Sequence, residues 1–162
     1  MSTIEELLDD GRLIEYEVPE YDTRERVRPA YYTPSFKQWF LMEKRLELPG
    51  RKGGKITGQE EIEEKLNDLR CDDPMHITDF ARIMPQKKDV WEIKTDTTRL
   101  FGWFCMPMVF VVVSGAMKTD LVRNRPAVAA QRTKVTAFIE RHNLHREVVR
   151  GGHTYVLGTQ SK

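Results

Sequence analysis

Residues 90–119 read VWEIKTDTTRLFGWFCMPMVFVVVSGAMKT, and how this stretch divides decides the fold. From Leu100 to Met117 it runs for 18 residues without a charge, the lower limit for a helix that crosses a bilayer. Gly102, Pro107, Ser114 and Gly115 interrupt it, however, and its Phe, Trp and Val residues favour strands. Met106-Pro107 stands where a hairpin turn falls. The stretch therefore reads as three strands, VWEIK, RLFGWFCM and VFVVVSGAM, with short links that make an antiparallel meander and no membrane span.

Upstream of the meander, residues 2–10 suit a short helix capped by Ser2 or Thr3 and stopped at Gly11. Leu13 to Arg28 is acidic, carries Pro19 and reads as extended chain, in part an edge strand. Ala30-Tyr31-Tyr32 is a short β run. Thr33 then caps a helix that opens on Pro34 and repeats Phe36, Trp39, Phe40 and Leu46 at helical spacing to about Leu48. The Gly/Lys-rich residues 49–58 lack the remaining elements of a phosphate-binding loop and read as a connector. Gln59–Arg70 forms a second amphipathic helix through Ile62, Leu66 and Leu69. Downstream, Pro126 opens a third helix with Val128, Val135, Phe138 and Ile139 on its apolar stripe. Residues 146–157 suit a hairpin turning at Gly151-Gly152. This order predicts an α+β domain in which helices pack on an antiparallel sheet.

Composition narrows the function classes. Forty per cent apolar and 31% charged residues describe a globular chain. Its two cysteines, Cys71 and Cys105, make no disulfide framework, and its four widely spaced histidines suggest no metal site. The acidic N-terminus has no signal-peptide character, so the expected location is cytoplasmic. A net charge of +1 conceals a split, since residues 1–27 sum to −6 and residues 118–162 to +6. Such asymmetry fits nucleic-acid contact, or an acidic segment folded over a basic face.

Cations gather at strand ends. Lys94 closes the first meander strand, Arg99 opens the second and Lys118 follows the third, with Arg123 and Arg125 in the loop before the last helix. An antiparallel meander allows Lys94, Arg99 and Lys118 to meet at one edge. Cations so grouped suit a phosphodiester, because they bind its charge and stabilise the extra charge of the transition state.

The runs Trp91-Glu-Ile-Lys94, Arg99-Leu-Phe, Lys118-Thr119 through Arg125-Pro126, and Ala129-Ala-Gln-Arg132 resemble the RelE/HigB superfamily of toxins, especially its phage-derived subgroup. Tyr31-Tyr32-Thr33-Pro34-Ser35-Phe36 resembles the family's opening strand and helix start. The resemblance covers residues 29–142, between an acidic N-terminal extension (1–28) and a C-terminal hairpin or tail (143–162). It implies a RelE-like antiparallel sheet flanked by helices. It also implies an mRNA endoribonuclease acting on the ribosome without metal or cofactor, by attack of the 2′-hydroxyl on the adjacent phosphate, and neutralised by an antitoxin, often a helix-turn-helix protein. Lys94, Arg99 and Lys118 would be its catalytic residues, with Arg123, Arg125 and Arg132 on the RNA backbone. The family's double lysine is Met117-Lys118 here, and Glu92 stands where some members place another base. A ParE-like inhibitor of DNA gyrase, or a regulatory or phage-encoded interaction module on the same fold, remain the alternative readings.

Overall fold

The uncharged stretch folds as a hairpin in the computed structural model, which describes residues 2–50, 54–71, 80–82 and 89–150. Strand β5 (Thr98–Met106) and strand β6 (Val109–Met117) turn at Pro107-Met108. Proline cannot adopt a positive φ, so Met108 takes it, at 67°. The pairing carries two register irregularities, between Phe101 and Gly102 and between Phe104 and Met106. At the first of these the backbone of Val111 approaches so closely that Gly102 has no room for a Cβ.

Around this hairpin the described strands make one six-stranded sheet. Its members, besides β5 and β6, are β1 (Ile14–Glu15), β2 (Tyr31–Tyr32), β3 (Phe80–Arg82) and β4 (Trp91–Lys94). The spatial order is β1-β2-β6-β5-β4-β3. β4, β5 and β6 form the antiparallel meander read from the sequence. The sheet as a whole is mixed rather than antiparallel, because Tyr31 and Tyr32 lie parallel to Val111 and Val112. A parallel pair needs a long crossover, and the chain from Thr33 to Met108 supplies it.

Helices cover both faces. Helix α1 (Ile4–Asp9) has Thr3 as its N-cap in a capping box with Glu6. Helix α2 (Pro34–Met42) is capped by Thr33, whose hydroxyl accepts from Phe36 N–H and donates to the Val113 carbonyl. The expected helix to Leu48 stops at Met42. Glu43 leaves helical geometry at ψ 100°, and its carboxylate caps a separate 3₁₀ turn, Lys44–Glu47. Helix α2, the 3₁₀ turn with its Leu46, and helix α3 (Gly58–Cys71) bury Phe36, Leu46, Ile62, Leu66 and Leu69 against Trp91, Phe104 and Phe110 on one face of the sheet. On the other face, α1, the single turn α4 (Lys118–Leu121) and helix α5 (Arg125–Arg141) bury Leu7, Leu121, Val135 and Ile139 against Phe101, Trp103 and Val111. Each fully buried large side chain stabilises the fold by roughly 1.5–3 kcal/mol.

The acidic N-terminal segment does not lie over the basic strand ends. Leu7 and Leu13 are each 1% exposed. Past β1 the chain crosses to α3, where Tyr16 Oη donates to Asn67 Oδ1 at 2.6 Å and Arg24 pairs with Asp68 at 3.0 Å. Arg28 then donates to the Leu69 carbonyl and Val27 N–H to that of Arg70. An acidic segment is thus held on an acidic helix by the guanidiniums it carries and by the open carbonyls of a helix end. The sequence-predicted hairpin at Gly151-Gly152 lies outside the described residues. Among the described residues no helix is long and apolar enough to cross a membrane.

Candidate functional site

Strand register brings the first two candidate residues together. Lys94, the last residue of β4, is directly opposite Arg99 in β5. Side chains alternate along a strand, and directly opposed residues share a face. Arg99 therefore shares its face with Phe101 two residues on, which belongs to the cluster under α5. Lys94 is exposed and Arg99 half-buried.

The β4–β5 connection is rigid for a chemical reason visible in its Thr-Asp-Thr-Thr sequence. Thr95 Oγ1 meets Thr98 Oγ1 at 2.7 Å and accepts Thr98 N–H at 2.9 Å. Thr97 Oγ1 donates to Glu61 Oε1 of α3 at 2.8 Å. One nitrogen of Arg99 donates to the carbonyls of Thr95 and Thr98, at 2.7 and 2.8 Å. The guanidinium is thereby fixed over the turn before any ligand arrives, with further N–H donors besides that nitrogen.

Lys118 reaches the same end through its backbone, since its N–H donates to the Thr97 carbonyl at 2.8 Å. Its side chain is exposed at the first position of α4, and Asp120 two residues on is bound by Arg45 at 2.8 Å. Arg123 is exposed in the loop between α4 and α5, with φ 57°. Arg125 is exposed at the first position of α5, where Asn124 is the N-cap. Arg132 lies about 10 Å further along that helix, half-buried. Lys94, Arg99 and the backbone of Lys118 are thus gathered at one end of the sheet, Arg123 and Arg125 continue from α4, and Arg132 stands apart on the α5 face.

Glu92 had no assigned role in the sequence, and the structure gives it a setting. It precedes Lys94 by two residues, so it stands on the same face of β4, diagonal to Arg99. Burial raises its carboxyl above the ordinary range, while the charges of Lys94 and Arg99 pull it back down. A half-buried carboxyl flanked by two cations can take and return a proton beside an anion. The period-two pairing Glu92/Lys94 was the sequence signal for it. Other proton-transfer candidates lie elsewhere: Tyr31 and Tyr32 pair with the middle of β6, and His142 is engaged by Arg12 at 3.3 Å at the far end of α5. Among the described residues no group of three or more His, Cys, Asp or Glu is arranged to hold a metal ion.

No protein-family model, curated protein or solved structure matches the chain.

Proposed function

We propose that the chain is a metal-independent endoribonuclease, the toxin of a type II toxin–antitoxin pair, that cuts mRNA on the ribosome. The observation that carries the reading is the register pair Lys94–Arg99 with Glu92 diagonal to it at one sheet end. In this mechanism Arg99 clamps the scissile phosphate with the N–H donors left beyond its two carbonyl bonds. Glu92 accepts the proton of the 2′-hydroxyl as its oxygen bonds to phosphorus, with the Lys94 ammonium beside it. The phosphorus–O5′ bond breaks, O5′ takes a proton from water, and the products are a 2′,3′-cyclic phosphate and a 5′-hydroxyl. Lys94 and Lys118 offset the charge of the phosphorane, and Arg123, Arg125 and Arg132 hold the flanking backbone. A helix-turn-helix antitoxin and a cytoplasmic site of action belong to the same reading.

The test is controlled expression in bacteria with primer-extension mapping of transcripts. Cuts within translated codons should fall about 10²–10³-fold in Arg99→Ala, the scale of losing one charge-stabilising donor. Glu92→Gln should lower the rate about 10²–10⁴-fold if Glu92 is the base. Toxicity with intact mRNA and damaged chromosomes would replace the reading with gyrase inhibition, and absence of toxicity with an interaction module.

A further inference from the structure

Away from the strand ends, the N-terminal segment leaves a cleft where it crosses α2 and α3. The cleft encloses about 250 Å³ and is lined by Tyr16, Tyr32, Phe36, Phe40, Leu41 and Glu63, among others. We propose that it is a binding site for a small organic ammonium ion with an apolar body.

Three observations support this. The walls are aromatic: Tyr32 and Phe36 meet edge to face at 6.0 Å, and Phe36 and Phe40 stack at 6.2 Å. Such rings attract a cation at their faces while packing an alkyl or aryl body. Leu41, 61% exposed, extends this apolar lining toward solvent.

The polar groups in the cleft are acceptors. Glu63 is half-buried on α3, and burial raises its carboxyl above the ordinary range. No ion pair engages it among the described residues, so a partly dried carboxylate lines the cleft with no cation paired to it. Tyr16 gives its proton to Asn67, which leaves its oxygen a lone pair to offer. An ammonium group supplies both the charge that Glu63 lacks and the N–H donors that these oxygens accept.

Charge and size narrow the ligand further. Among the described lining residues Glu17 and Glu63 outnumber the single cation, Lys37, which disfavours an anion. The volume is below the roughly 300–1,000 Å³ of drug-sized sites, which limits the occupant to a small amine.

The experiment titrates the full-length protein with phenethylammonium chloride, phenethyl alcohol and sodium phenylacetate, and follows backbone amide NMR shifts. The ammonium ion should bind about tenfold more tightly than the alcohol, the scale of one charge-assisted hydrogen bond, and phenylacetate should bind most weakly. Glu63→Gln should abolish the preference for the ammonium ion with an unchanged melting profile, and Lys37→Gln should strengthen ammonium binding. Glu63→Asp, which keeps the charge, should retain a preference for the ammonium ion and covers the case in which Glu63→Gln misfolds. Equal binding of alcohol and ammonium, an unaltered preference in Glu63→Gln, shifts outside the cleft, or no binding at all would overturn the proposal.

Discussion

Arg99 and Arg123 show how differently two arginines of one basic region are held. Arg99 is tied to the carbonyls of Thr95 and Thr98, so its position is prepared by the turn. Arg123 is exposed and sits at φ 57°, a conformation that costs an L-residue about 1 kcal/mol. Glycine adopts it freely. Arg123→Gly should therefore raise stability in urea denaturation by roughly 0.5–1 kcal/mol, while weakening binding to a generic single-stranded RNA and reducing its salt slope by about one charge. A stability loss would show that the Arg123 side chain packs more than its exposure suggests. Glu92 belongs to the same scale. Its lifted carboxyl favours the protonated form when folded, so its stabilising contribution is full in acid and is lost as pH rises through its raised pKa. Cleavage that uses its carboxylate as base should rise over that same interval.

At the scale of elements, the docking of α1 combines the buried Leu7 with contacts to one histidine. Arg12 approaches His142 Nδ1 at 3.3 Å, and Ser2 N–H donates to the His142 carbonyl. Nδ1 accepts from Arg12 only while the ring is neutral. Burial, then the charges of Arg12 and Arg141, lower the His142 pKa below its ordinary 6.5. The unfolded chain thus binds the proton first, and stability is lost as pH falls from about 6.5 through the lowered value. Amide exchange of Leu7 and Leu8 should accelerate over that interval, and His142→Gln should remove the pH dependence. An unchanged profile would assign the docking of α1 to Leu7 and Leu13 alone. The cap of α2, by contrast, was legible directly. Thr33 with Pro34 carries its capping geometry within four residues of chain, whereas Ser2 and Thr3 both offered a cap for α1 and the structure's box with Glu6 selects Thr3. The end of α2 was not legible, because Leu46 keeps helical spacing while its neighbour Glu43 caps a new turn.

For the whole molecule, the N-terminal segment is the decisive test. Its charge suggested a detachable cover over the basic face. Leu7 and Leu13 instead sit in the core under α5, Ile14 and Glu15 pair with β2, and Tyr16 reaches α3. Deleting residues 1–27 should cost at least about 4 kcal/mol, from two buried leucines alone. The truncated chain should show a lowered urea midpoint or fail to fold, rather than gain RNA affinity as a stable protein. A truncated chain of full stability that binds RNA more tightly would restore the cover.

What the sequence by itself determined is local. The β-favouring Phe, Trp and Val residues of 90–117 with their turn breakers, helical spacing of apolar residues elsewhere, and caps each express a preference set within one or two turns of chain. The meander also brought Lys94 and Arg99 opposite each other, since short links leave antiparallel strands little choice of register. Only the tertiary structure decided the parallel pairing of β2 with β6, the course of the acidic segment onto α3 and the half-dry settings of Glu92 and Glu63. Those depend on residues far apart in the chain, such as Tyr16 and Asn67, 51 positions distant. Their meeting follows from how two helical layers close on one sheet, and no local periodicity encodes that closure.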